Sequence, residues 1–141
     1  MNFVIQSTFK SKYLQYATLA YSFLIFSTTV LLDNGYKVSM LNFLKDIPHY
    51  DKIGHFMVYG FWTFLLNYSL NFRKMNFGIF KIFTGSFIAI FILSLEEYSQ
   101  SYFIYRDCSY YDLLANYLGI LIFGLISEKL RNYIKTKILI N

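Results

Sequence analysis

Charge position is what most constrains this chain. Between Lys12 and Asp33 lie twenty uncharged residues, 13–32, and between Lys52 and Arg73 another twenty, 53–72, in which His55 is the ionisable group of consequence. A bilayer core needs about 20 mostly apolar residues per helix, because nothing there satisfies a bare backbone. Two shorter runs follow: fourteen residues, 82–95, and fifteen, 113–127. Lys81 can snorkel and so extend the third helix back to Phe77. Tyr110 and Tyr111 suit an interface and extend the fourth upstream. The expectation is an all-α polytopic membrane protein, a four-transmembrane-helix bundle with spans at 13–32, 53–72, 77–96 and 111–127, forming a single domain over 1–141.

Composition agrees with a bilayer. Hydrophobic residues make up 56% of the chain and charged residues 15%, against about 45–50% and about 25% for soluble domains. So apolar a chain is not intrinsically disordered. One cysteine excludes a disulfide framework and any multi-cysteine metal site. The first run exceeds a signal-peptide core of about 7–15 residues and no small-x-small cleavage site follows Leu32, so it reads as an anchor.

Lys and Arg set the orientation. Lys10, Lys12, Arg73, Lys74, Lys81, Lys129, Arg131, Lys135 and Lys137 fall on one side, and Lys37, Lys45, Lys52 and Arg106 on the other. Both termini are therefore expected in the cytoplasm. The acids sort oppositely: Asp33, Asp46, Asp51, Glu96, Glu97, Asp107 and Asp112 lie outside, and Glu128 inside. The net charge of +5 sits on membrane-flanking segments, where anionic lipid is a simpler partner than nucleic acid. The stretch after Ser127, with Lys129, Arg131, Lys135 and Lys137 among Leu130, Ile134 and Ile138, reads as an interfacial amphipathic helix.

Three polar groups fall on the expected outer side. Asp51, His55 and Tyr59 are spaced four apart and share one helix face, with Lys52 beside them. Glu96, Glu97 and Gln100 end the third span, where two carboxylates at a helix C-terminus require a cation or protonation. Arg106 is the nearest candidate cation, and Glu97–Arg106 is the expected central ion pair. Asp112, Asn116 and Gly119 line one face at the start of the fourth span, and Gly119 with Ala115 and Gly124 allows close helix approach. Such a cluster either locks a bundle through interhelical bonds, each contributing about 0.6 kcal/mol, or forms a site for a polar head group or proton transfer.

These segments resemble the VanZ-like family of small bacterial membrane proteins. The family pattern runs D-K-x-x-H-x-x-x-Y, E-x-x-Q, R and D-x-x-x-N-x-x-G. The sequence supplies Asp51, Lys52, His55 and Tyr59; Glu97 and Gln100, preceded by the acid Glu96; Arg106; and Asp112, Asn116 and Gly119. The resemblance covers 51–126. It departs before Arg106, where the family commonly has Pro-Gly and this chain has Ile104-Tyr105. It implies a four-helix protein of the bacterial cytoplasmic (inner) membrane. The founding member lends low-level resistance to a glycopeptide antibiotic, and most relatives have no assigned activity.

Three classes of function follow. One is a non-enzymatic protein whose outer cluster binds or shields an envelope lipid, a lipid-linked cell-wall precursor or an amphiphilic antibiotic. Its ligand-binding residues would be Asp51, Lys52, His55, Tyr59, Glu96, Glu97, Gln100, Arg106, Asp112 and Asn116. Another is an envelope enzyme using His55 and Glu97 as acid and base. The third is a structural subunit beside a membrane-protein partner. No cofactor and no nucleic-acid partner is expected. A metal site from His49, Asp51, His55 and Glu97 needs a turn to bring His49 back, and a Cys108 thiolate is disfavoured by Asp107. A phosphate-binding Gly-rich loop, a nucleophile elbow and an H-E-x-x-H helix are absent from the sequence. The outer aromatics, Tyr98, Tyr102, Phe103, Tyr105, Tyr110, Tyr111 and Tyr117, read as an interfacial belt or as a cradle for an amphiphile.

Overall fold

The computed structural model describes residues 2–36, 49–106 and 108–140, with side chains for 12–36, 49–106 and 108–137. Lys37, Lys45, Asp46 and Asp107, assigned above to the outer side, lie outside the described residues, as does the side chain of Lys10. The order is α1 (Asn2–Asp33), α2 (Tyr50–Ser69), β1 (Lys74–Phe77), β2 (Phe80–Phe83), α3 (Thr84–Gln100) and α4 (Tyr110–Ile140). Two helical stretches, Lys12–Asp33 and Tyr110–Lys137, are long and apolar enough to cross a membrane.

The helices match the expected all-α architecture, and a two-stranded hairpin corrects it at one place. The third span does not begin at Phe77. Strands β1 and β2 pair antiparallel, Lys74 opposite Phe83 and Asn76 opposite Lys81. Gly78, at φ 61°, takes the first position of the two-residue turn, where a left-handed backbone favours glycine. Polar Lys74 and Asn76 alternate with Met75 and Phe77, the period of a strand. Helix α3 then starts at Thr84 and runs past Glu96 to Gln100, about 25 Å of helix. The segment after Ser127 is helical, as expected. It continues α4 without a break, giving 31 helical residues, about 46 Å. Charges end an apolar run but not a helix, because Glu, Lys and Arg are good helix formers.

Side-chain burial is inverted relative to a soluble domain. Among the described residues, eight hydrophobic side chains are buried against ten polar or charged ones. Meanwhile Phe23 of α1 is 72% exposed, Phe91 of α3 59% and Leu121 of α4 58%. The small apolar core is Tyr59, Trp62, Ala89, Leu93 and Ile120. Helices α2 and α4 meet most closely at two glycines. A Cβ on Gly60 would collide with the Phe123 ring, and one on Gly119 with the backbone oxygen of Phe56. Gly119 is thus the close-approach residue expected of it, while a Cβ on Gly124 would stand at an ordinary 3.6 Å from Ser86 Oγ. Helix α1 packs Tyr21 and Ile25 against the apolar core and adds polar contacts, where Trp62 Nε1 donates to Ser22 Oγ at 2.8 Å and Thr18 Oγ1 to the Leu65 carbonyl at 3.4 Å.

Asn67 organises the end away from the acidic cluster. Its Oδ1 accepts from the Ser86 backbone N–H at 2.9 Å, and its Nδ2 donates to Ser86 Oγ at 3.0 Å and Ser127 Oγ at 3.3 Å. Ser86 is the third residue of α3, so a side chain of α2 caps a helix whose own preceding residue, Phe83, makes no side-chain cap bond. Gly85 is required beside it, because a Cβ there would stand 2.6 Å from Asn67 N.

Candidate functional site

The C-terminal ends of α1 and α3 and the N-terminal ends of α2 and α4 converge, with the loop before α4 folded over them. Two charged groupings occupy this end. In the first, Lys52 of α2 lies 2.5 Å from Asp112 Oδ1 of α4 and 2.7 Å from Asp51 Oδ2. Its bond to Asp112, then that to Asp51, raises the Lys52 pKa above its ordinary value. The bond from Lys52 in turn holds the Asp51 carboxyl below its ordinary value. His55 sits one turn deeper. Its Nδ1 is 3.1 Å from Asn116 Oδ1, and its Nε2 is 4.0 Å from Asp112 Oδ2. Tyr59 follows a turn further, 7% exposed, its ring centroid 5.6 Å from that of His55.

The second grouping centres on Arg106. Its Nε donates to Gln100 Oε1 at 3.3 Å, while Gln100 Nε2 donates to Glu96 Oε1 at 2.7 Å. Arg106 Nε also lies 3.8 Å from Asp33 Oδ1, and its Nη2 lies 3.9 Å from Glu96 Oε1. Those two distances are ion pairs, too long for hydrogen bonds. The expected Glu97–Arg106 pair is therefore corrected: Arg106 pairs with Glu96 and Asp33. Adjacent helical residues point about 100° apart, so Glu96 and Gln100, four apart, turn together toward Arg106, while Glu97 turns toward α4. Glu97, 2% exposed, accepts the Ser109 backbone N–H on Oε1 at 2.7 Å.

Ser109 explains this contact. It directly precedes α4, and its hydroxyl accepts the Asp112 N–H at 3.4 Å. In a capping box the acid three residues on would return to the Ser109 N–H. Here Asp112 is engaged by Lys52, and Glu97 from α3 takes that N–H instead. Sequence reasoning missed Ser109, although Ser-x-x-Asp before an apolar run is a helix-start signal. It also missed Asp33, 9% exposed, as a partner of Arg106. No local pattern connects residues so far apart in the chain.

Tyr59 lies between the groupings, near Thr29 of α1 and near Glu96, Glu97 and Arg106. All ten sequence-selected residues thus gather at one end. Asp51 is the most open of the charged ones, its side chain 46% exposed. His49 stays apart, exposed and left-handed at φ 59°, and Cys108 is exposed.

Neither family models, curated proteins nor solved structures gave a match to this chain.

The site's chemistry is decided by what its own side chains leave unsatisfied. Glu96 Oε2, Glu97 Oε2 and Asn116 Nδ2 are buried without a hydrogen-bond partner. Rotating the Asn116 amide would give Nδ2 to His55 and orphan Oδ1 instead, so one amide atom stays free in either orientation. A buried unpaired polar atom costs about 1–3 kcal/mol. Five carboxylates, Asp33, Asp51, Glu96, Glu97 and Asp112, face two fixed cations, Lys52 and Arg106. The arrangement accepts hydrogen bonds more than it donates them. His55 and Glu97 are each held by different partners, the imidazole by Asn116 and the carboxylate by Ser109.

Proposed function

We propose that the chain is a four-span protein of the bacterial cytoplasmic membrane, VanZ-like, with both ends in the cytoplasm. Its outer cluster binds the head group of an amphiphile: an envelope lipid, a lipid-linked cell-wall precursor or a glycopeptide-type antibiotic. The reading is non-enzymatic. The observation that carries it is the set of buried, unpartnered atoms on Glu96, Glu97 and Asn116 within one end of the helices. Two of those atoms are carboxylate oxygens, so the head group they suit presents N–H or O–H donors, as an amine, amide or sugar does. Exposed Tyr102, Tyr105, Tyr110 and Tyr111 around this end give such a molecule amphipathic surface to lie against.

Embedding is supported by the inverted burial, since apolar side chains facing outward and polar ones inward suit a hydrocarbon solvent. Orientation is supported by the excess of Lys and Arg at the end opposite the acids. Helix α3 is shorter than a typical ~30 Å core, a mismatch that local thinning and snorkelling of Lys74 and Lys81 accommodate.

The test is a strain lacking the protein, challenged with envelope-active compounds including a glycopeptide. It is then complemented by wild type, Glu97→Gln or Arg106→Ala at matched protein level. The expected result is a sensitivity that wild type reverses and both variants fail to reverse. Full complementation by both variants would overturn the reading.

A further inference from the structure

Away from the acidic cluster, α3, α4 and the hairpin enclose a half-open cleft of about 560 Å³. Sites for small organic molecules span roughly 300–1,000 Å³. Buried Phe83, Ser86 and Ile120 form its floor, and outward-facing Leu121 and Leu125 form a wall. Tyr117, whose hydroxyl is 2.8 Å from Ser94 Oγ, lines the end nearer the acidic cluster. Lys74, Lys81 and Glu128 line the other end.

The hairpin register aims charge at that mouth. Cross-strand partners and residues two apart share a face of a ladder, so Lys74, Asn76, Lys81 and Phe83 all lie on one face. Lys74 is held 2.6 Å from Glu128 Oε2 and 4.6 Å over the Phe83 ring. Arg131 also reaches Glu128, at 3.2 Å. Glu128 is thus paired with two cations, and among the described residues Lys81, on the same lining, has no ion-pair partner.

We infer that this cleft holds an acyl chain of an anionic phospholipid, with the phosphate at Lys81 and Lys74. Basic pockets between membrane helices favour anionic head groups. The length fits as well: from Tyr117 to Glu128 is about 16 Å of helix, close to half of a ~30 Å hydrocarbon core, the depth of one leaflet. A neutral apolar guest would leave Lys81 without a role, and a cationic one would be repelled. The inference shares with the proposed function only the embedding in a bilayer.

The test is the full chain in mild detergent, exchanged against phosphatidylglycerol or phosphatidylcholine, with retained lipid read by native mass spectrometry. Phosphatidylglycerol is expected to be retained preferentially. Lys81→Gln should cut that preference about fivefold, the equivalent of roughly 1 kcal/mol for one lysine near an anionic surface. Gly124→Leu, filling the cleft beside Ser86, should abolish the preference for phosphatidylglycerol. Gly54→Ala, on an exposed face of α2, should leave the preference unchanged, and the outer cluster is read separately by complementation, so either site can fail while the other stands. Equal retention of the two lipids, an unaltered preference in Lys81→Gln, or a lipid-free dimer occupying the cleft would overturn the inference. A photoactivatable phosphatidylglycerol provides a readout without variants. Its crosslinks should map to Ile82 and Leu121, and crosslinks confined to α1 would overturn the inference. Release of the chain from membranes by alkaline carbonate would instead remove the embedding on which both readings rest.

Discussion

Gly54 and Gly119 carry opposite consequences for the same substitution. Gly54 lies on an exposed face of α2, with open space where a Cβ would go. Gly54→Ala is expected to stabilise by up to about 1 kcal/mol through helix propensity alone. Gly119 touches the Phe56 carbonyl across the α2–α4 contact, and backbone cannot swing aside as a side chain can. Gly119→Ala is expected to destabilise by about 1–3 kcal/mol. Thermal unfolding of the purified protein in detergent checks both, and a lower midpoint for Gly54→Ala would refute the first. Glu97→Gln separates recognition from architecture at the same scale. The amide keeps an oxygen for the Ser109 N–H and removes a buried charge, so the unfolding midpoint should hold or rise while head-group binding falls. A midpoint that drops together with binding would make Glu97 a purely structural acid.

At the scale of elements, the parts that local pattern determines were legible and those set by distant contact were not. The two long apolar runs gave α1 and α2, and the spacing of Asp51, His55 and Tyr59 gave the polar face of α2. The hairpin carried a signal too: alternation on both sides of Gly78. A short apolar run reads equally as helix or strand, however, and the snorkelling of Lys81 fitted the helix. The partnership of Arg106 with Asp33 lies beyond local pattern, because it exists only once α1 and the loop before α4 meet. Asn67 is another such contact, capping α3 from α2. Asn67→Ala should therefore cost about 1–3 kcal/mol, because it strips the Ser86 N–H and leaves Ser127 Oγ without that donor. A detergent unfolding midpoint within error of wild type would refute it. The Lys52 latch between α2 and α4 carries a pH signature. Asp51 is depressed below its ordinary 3.8, so its contribution is present above that value and lost as pH falls through the folded pKa. Lys52 is raised above its ordinary 10.5, so its contribution is complete below that value and lost as pH rises through the folded pKa. Partial exposure keeps the pair with Asp51 within about 1 kcal/mol. The stability difference between wild type and Lys52→Met should be flat from about pH 5 to 10 and shrink at both extremes. A difference that instead changes through neutral pH would show that another group controls the latch.

For the whole molecule, the deciding property is the sorting of charge between its two ends. Among the described residues, one end gathers Asp33, Asp51, Glu96, Glu97 and Asp112, and the other presents Lys74, Lys81 and Arg131 around Glu128. Lys and Arg resist export across a cytoplasmic membrane, whereas Asp and Glu contribute little to orientation, so the basic end should remain inside. The chain supplies its own reporter of this sidedness. Cys108 is its one cysteine and is exposed beside Ser109 at the acidic end. A membrane-impermeant maleimide should label Cys108 in intact spheroplasts. In Cys108→Ser carrying Lys135→Cys on the exposed far turns of α4, labelling should require permeabilisation. The reciprocal pattern would export both chain ends, place the acidic cluster in the cytoplasm and remove an envelope head group as its ligand. Labelling of both positions in intact spheroplasts would mean that α4 does not cross the bilayer. The outward-facing leucines of α4 would then need a protein partner in place of lipid.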